Sequence, residues 1–340
     1  MMSLPKTYKV PSGYRSKLDL LYTELAINEV KNHFEAKLAK SLNLIKVSAP
    51  LLLNAETGIN DNLNGVERTV SFNTGGLQEE KVEIVQSLAK WKRVALERYG
   101  LPLGQGLYTQ MHAIRRDEEL GNLHSIYVDQ WDWEKVISKK ERNLITLKSE
   151  VEKIYAAIKA TEKYMSELHT SLTPVLPDKI HFITSQELED RFPNLTPKQR
   201  EDTIAEQYGA VFIMQIGGLL KSGEKHDGRS PDYDDWSLNG DIILWNPVLE
   251  TAFEISSMGI RVDEQALLYQ LWQAGNNERK SLPYHQSVLN GQLPYTIGGG
   301  IGQSRLCMFL LKKVHIGEVQ SSVWSEEILK ECREKNIELL

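Results

Sequence analysis

Gly298-Gly299-Gly300-Ile301-Gly302-Gln303-Ser304-Arg305 is the stretch on which the fold turns. Glycines at alternate positions let a backbone lie flat against a planar ring, where any Cβ would collide. The run leads into an apolar helix at 306–311. Arg305 stands at the head of that helix, placed to reach a phosphate or stack on a base. This is neither a dinucleotide-binding nor a P-loop signature. The G-x-G-x-x-G spacing before a βαβ unit is missing, and no Gly-Lys-Ser/Thr follows. A flexible glycine turn is the competing reading; the placed arginine and the helix behind it favour the functional one.

Strands crowd the chain around this run. Residues 241–245 and 251–260 read as a hairpin about Asn246-Pro247, and 210–216 as an apolar strand. Residues 107–115 and 125–133 read as two strands separated by a charged loop. Residues 82–85 form a short strand, and 44–50 a strand ended by Pro50. Helices lie mostly elsewhere. In 14–42, Ile27, Val30, Phe34 and Leu38 share one face. A second helix follows Ser87, a possible N-cap, and stops at Gly100. Residues 150–168 and 264–272 are also helical. Thr196-Pro197-Lys198-Gln199 is a capping box with proline in the first turn, and its helix ends near Gly209. Runs of adjacent strands with helices set apart predict an α+β fold, a largely antiparallel sheet flanked by helices. Residues 1–13, with Pro5, Pro11 and Gly13, read as a loose arm. Residues 14–340 show no composition break and read as one domain.

Several groups around the sheet can carry chemistry. Arg115-Arg116-Asp117-Glu118 ends a strand with an arginine on the face of Met111 and Ala113. Alone, this run reads as a solvated loop. The face Ile126, Val128, Gln130, Asp132 begins apolar and ends polar, as a strand looking into a pocket does, or one reaching solvent. Ala252, Glu254, Ser256 and Met258 share a face by alternation. A carboxylate there needs a partner or a cation unless the face is exposed, and Asp241 on the preceding strand can reach the same ion. Asp232, Asp234 and Asp235 crowd a loop with Arg229. They read as a hydrated turn without further context, as does Asp61.

The bulk properties exclude some classes. The net charge is −6 and no dense Lys/Arg block is present, which argues against nucleic acid as a partner. No apolar stretch approaches the ~20 residues that span a bilayer, and residues 1–17 lack the apolar core of a secretory signal. A cytoplasmic chain without membrane partners is the expectation. Cys307 and Cys332 suit neither a metal nor a disulfide framework, and no histidine spacing suits zinc.

In order and type these features resemble class II aminoacyl-tRNA synthetases. The segment 44–52 with Pro50 is similar to their motif 1, Arg115 and Glu118 to motif 2, and Gly298 to Arg305 to motif 3. More specifically, the chain from about Leu18 onward resembles the ammonia-dependent asparagine synthetases, or aspartate–ammonia ligases. The strings that carry this include Gln86-Ser-Leu-Ala-Lys-Trp-Lys-Arg93, Tyr127-Val-Asp-Gln-Trp-Asp-Trp-Glu134, Pro231-Asp-Tyr-Asp-Asp-Trp236, Phe253-Glu-Ile-Ser-Ser-Met-Gly-Ile-Arg261 and Thr296 to Arg305.

The resemblance implies a class II synthetase-like catalytic fold. It also implies a homodimer and a reaction of aspartate, ATP and ammonia through a β-aspartyl adenylate. By it, Arg115 and Arg305 hold phosphates, with Glu118, Gly300 and Gly302 also at the ATP, and Asp241 and Glu254 hold Mg²⁺. Asp61, Gln130 and Asp132 surround the amino group of aspartate, with Ser256 also at the amino acid, and Ser87 and Lys92 contact its carboxylates. Asp234 orients or deprotonates the incoming ammonium. The rivals are a catalytically silent paralogue, a tRNA synthetase and a glutamine-dependent amidotransferase. Both motif arginines and both metal carboxylates are retained, the charge is acidic, only a short arm precedes motif 1, and the chain begins Met1-Met2-Ser3 without a cysteine nucleophile. These features favour free ammonia and aspartate itself.

Overall fold

The computed structural model describes residues 9–61, 63, 67–76 and 81–340. The first eight residues of the expected arm, and Gly65 beyond Asp61, lie outside the described residues. The helices are α1 (Leu20–Leu42), α2 (Ala89–Tyr99), α3 (Leu144–Leu168), α4 (Ser185–Arg191), α5 (Pro197–Tyr208), α6 (Glu264–Gln273), α7 (Pro283–Leu289), α8 (Gln303–Leu310) and α9 (Glu326–Glu334). The strands are β1 (Leu44–Lys46), β2 (Leu52–Asn54), β3 (Ser71–Asn73), β4 (Lys81–Ile84), β5 (Gly106–Ile114), β6 (Tyr127–Val136), β7 (His181–Thr184), β8 (Ala210–Met214), β9 (Asp234–Asn246), β10 (Thr251–Arg261) and β11 (Thr296–Gly302).

α1 starts where Asp19 accepts a hydrogen bond from Tyr22 N (2.9 Å), and it ends at Asn43 in the left-handed region (φ 58°). It is therefore shorter than the 14–42 expected. Its buried face, Ala26, Ile27, Val30, Phe34, Leu38 and Leu42, packs on α3. Thr196 caps α5 through the expected box. The cap of α2 falls at Leu88 without a side-chain bond; Ser87 Oγ instead accepts from Ala89 N at 3.2 Å.

Eight strands form one sheet in the order β1-β5-β6-β11-β10-β9-β8-β7. The middle is antiparallel, and the edge pairs β1/β5 and β7/β8 are parallel. β2, β4 and β3 make a separate small sheet. One face of the large sheet is sealed by α1, α3 and α8 around Phe34, Trp131, Phe212, Phe253 and Phe309. On the other face α2 covers β5, β6 and β11, and α5 covers β8, β9 and β10. The functional side chains gather on this second face.

Candidate active site

The site is built by strand register. Antiparallel neighbours directly opposite one another point to the same side. Gly300 lies opposite Asp132 and Ser257, Gly302 opposite Gln130, and Ser257 opposite Asp241. These residues therefore share one face. Alternation along β10 fails at one point. The register passes from Glu254↔Ile243 to Ser256↔Ile242, leaving Ile255 as an extra residue. This bulge corrects the expected face of Ala252, Glu254, Ser256 and Met258. Ser256 turns away beside the core residue Ile242, its hydroxyl buried without a partner among the described residues. Ser257 takes its place on the functional face.

Arg115, Glu118, Gln130, Glu254, Gly300, Gly302 and Arg305 all wall one cavity of about 360 Å³. Arg115 follows β5 directly, and its N–H donates to Ile126 O at 2.8 Å. A turn from Glu118 N to Arg115 O (3.2 Å) keeps both side chains on the same loop. Arg305 Nη1 lies 3.0 Å from Glu254 O and 3.5 Å from Glu254 Oε2. Burial works to raise the Glu254 pKa, but Arg305, Arg229, Arg115 and Lys198 outweigh it and hold the carboxyl below its usual range. His124, also on the cavity wall, is pushed down to about 4 by burial and then by Arg305. Three arginines, Arg115, Arg229 and Arg305, thus face the cavity, placed to meet an anion.

The glycine run has a packing role besides the flat platform expected. None of Gly298, Gly299, Gly300 or Gly302 has a positive φ, so conformational freedom is not what is used. A Cβ on Gly300 would collide with the Gln130 carboxamide, and one on Gly298 with the Glu134 carboxylate. Gly298 and Gly300 make room for side chains from β6, Gly299 for Met258 on β10, and Gly302 for the Arg305 side chain.

Behind the cavity lies a buried polar layer that holds other expected residues. Lys92 Nζ pairs with Asp132 and donates to Gly299 O at 2.8 Å. Arg261 binds Glu134 (Nε 2.9 Å, Nη2 2.6 Å) and also pairs with Asp234, and Thr296 Oγ1 donates to Glu134 at 2.6 Å. The run read as an acidic turn is therefore partly strand: β9 begins at Asp234, which lies opposite Arg261 on β10 and pairs with it. Asp61 accepts from Ser230 Oγ at 3.1 Å, and its Oδ2 has no partner among the described residues. Burial and the neighbouring Asp232 push Asp61 up to about 6, against the pull of Lys90. Asp61, Ser87, Lys92, Asp132, Asp234 and Asp241 do not line the cavity itself. Asp61 stands close enough to Tyr233, which does line it, for its charge to raise the tyrosine pKa.

Sequence reasoning missed Arg229 and Ser257 as site residues. Arg229 lines the cavity and pairs with Asp241. Its signal was present, a lone cation within an acidic loop. The bulge that selects Ser257 left no mark in the alternation. Asp241 and Glu254 present a metal-capable pair. Asp241 Oδ1 is buried without a partner among the described residues, and Glu254 reaches the cavity half exposed. Among the described residues no group of three or more His, Cys, Asp or Glu side chains forms a ready-made cage. Two carboxylates completed by phosphate oxygens are the arrangement typical of Mg²⁺.

This sheet, with its flanking helices, is the catalytic fold of class II aminoacyl-tRNA synthetases. The chain is similar to asparaginyl-tRNA synthetase from Pyrococcus horikoshii (TM-score 0.64, 16% identity, 88% of this chain and 68% of that one). It is likewise similar to a putative aspartyl-tRNA synthetase from Leishmania major (TM-score 0.62, 13% identity, 88% and 64%). At these identities the likeness concerns the fold. Closer relatives decide the family. The aspartate–ammonia ligase family model matches residues 21–336. The chain is 59% identical to the aspartate–ammonia ligase of Ruminiclostridium cellulolyticum, over 97% of this chain and 98% of that one. It is 60% identical to that of Clostridium perfringens over the same shares. The chain belongs to the aspartate–ammonia ligase family.

Proposed function

We propose that the cavity receives ATP, with Arg115 and Arg305 on its phosphates, and that the polar layer behind it receives aspartate. The reaction is that of the family: an ATP-dependent ligase makes L-asparagine from L-aspartate and ammonia through a β-aspartyl adenylate, releasing AMP and pyrophosphate. The observation that carries the residue assignment is the pair of arginines on one cavity wall, one from the β5–β6 loop and one from the head of α8.

In the first step an aspartate β-carboxylate oxygen attacks the α-phosphorus, and the bond to pyrophosphate breaks. Arg115 and Arg305 stabilise the charge gathering on the phosphate oxygens. Glu118, Gly300 and Gly302 shape the nucleotide side. Gln130, Asp61 and Asp132 orient the amino group, while Ser87 and Lys92 meet the carboxylates. Ser257 takes the role first given to Ser256. In the second step the ammonia nitrogen attacks the acyl carbon and AMP leaves. Asp234, whose pKa burial raises, takes a proton from the incoming ammonium. Asp241 and Glu254 would hold Mg²⁺, which supplies charge neutralisation on the phosphates.

The working unit by this reading is a cytoplasmic homodimer. Exposed Leu21, Leu25, Ile45, Leu51, Leu52 and Phe72 on α1 and the following segment support a second copy there. No helix among the described residues is long and apolar enough to cross a membrane.

The test supplies purified protein with aspartate, ATP, Mg²⁺ and ammonium, without tRNA. Asparagine and AMP are expected in equal amounts. ADP as product, or a strict need for tRNA or glutamine, contradicts the proposal.

A further inference from the structure

Asn122 sits in the loop between β5 and β6, the loop that carries Arg115 and Glu118. It is buried (4% exposed) and touches two distant segments. Its Oδ1 accepts from Lys9 N (2.6 Å), and its Nδ2 donates to Lys9 O (2.7 Å) and to Val314 O (2.8 Å). Its own carbonyl accepts from Ile316 N at 2.7 Å. One side chain therefore ties together the N-terminal arm, the β5–β6 loop and the segment after α8. The residues on either side of these ties, Leu123, His124 and Ile316, are walls of the cavity.

A second clamp lies close by. Tyr14 donates to Glu318 Oε2 at 2.9 Å, and Glu318 Oε1 accepts from Val314 N (2.9 Å) and His315 N (3.1 Å). Lys9 of the arm is thus tied to Asn122, and Tyr14, just beyond the arm, is tied directly to the 314–318 segment that Asn122 also holds. The charged loop that must present Arg115 and Glu118 to a nucleotide packs Leu120 and Leu123, each partly buried, against the core. A loop held at its middle by a buried amide with every polar group satisfied is pre-ordered before the ligand arrives.

We infer that Asn122 is a positioning residue for the nucleotide: with Lys9 of the arm it fixes the β5–β6 loop and the cavity wall against which ATP binds. The inference rests on the reading that this cavity takes ATP. The expected aspartate residues Asp61, Ser87, Lys92 and Asp132 lie on other segments, and Gln130, though on the cavity wall, is held in β6 rather than in the loop. Loosening Asn122 therefore acts on ATP and spares aspartate.

The experiment compares the full chain with Asn122→Ala, Lys9→Pro and the double variant by steady-state kinetics, varying ATP and aspartate in turn. Lys9→Pro deletes the donated N–H, a single hydrogen bond, and serves if Asn122→Ala does not fold. The KM for ATP is expected to rise about tenfold in Asn122→Ala and about threefold in Lys9→Pro. The double variant is expected to match Asn122→Ala alone, since both changes break one connection. The kcat and the KM for aspartate stay within about twofold. An unchanged KM for ATP, or equal rises in both KM values that follow a lowered Tm, overturns the inference. Wild-type protein that forms no AMP with aspartate and ammonium defeats the underlying reading instead, so the two failures are distinguishable.

Discussion

Two arginine–glutamate pairs lie on the same side of the sheet, and they are built in opposite ways. Arg261 and Glu134 are 2% and 0% exposed, joined by several hydrogen bonds, with Asp234 and Thr296 closing the ring. Arg305 and Glu254 are 25% and 45% exposed and meet at 3.5 Å. An exposed pair of this kind is worth under about 1 kcal/mol, so an incoming phosphate can displace the carboxylate from Arg305 cheaply. Breaking the buried ring strands a charge. The closed pair serves geometry, and the open pair serves the ligand.

The largest expected effect comes from the closed side. Glu134→Ala leaves Arg261 buried with only Asp234, and it should cost about 3–5 kcal/mol of unfolding free energy in urea titration. A loss under about 1 kcal/mol would mean that the ring is not structural.

Next is a pH effect in the polar layer. Asp61 must be ionised to hold the aspartate amino group, and its pKa is pushed up to about 6 by burial and Asp232. The sign follows: the carboxyl sheds its proton as pH rises through 6, so kcat/KM for aspartate should fall about tenfold per unit below it. Asp61→Asn should remove this limb. A limb near pH 4, or one that survives the substitution, contradicts the assignment.

The smallest effect sharpens the bulge. Ser257→Ala should lower kcat/KM about fivefold, while Ser256→Ala, on the far face, should leave it within twofold. The reverse pattern would restore simple alternation along β10.

Much of this was legible in the chain. The α1 face was readable because Ile27, Val30, Phe34 and Leu38 repeat at helical spacing. The α5 start was readable because Thr196 and Gln199 form a local hydrogen-bond box. Arg115, Glu118, Glu254 and Arg305 converge on one cavity, as the family resemblance implied. The unreadable parts depend on contacts distant in sequence. The bulge at Ile255 is a property of pairing with β9, not of β10 alone. Asp234 reads as a turn until Arg261, twenty-seven positions away, is known to face it. The packing role of Gly298 and Gly300 appears only once Glu134 and Gln130 are seen filling the space that a Cβ would take.

The contrast between the two pairs is tested most directly by Arg305→Ala, read by aspartate-dependent pyrophosphate–ATP exchange alongside thermal unfolding. Because Arg305 belongs to the open pair, exchange should fall about 10²–10³-fold, while Tm should hold within about 2 °C. Exchange retained at wild-type rate, or lost only in step with unfolding, would contradict the account.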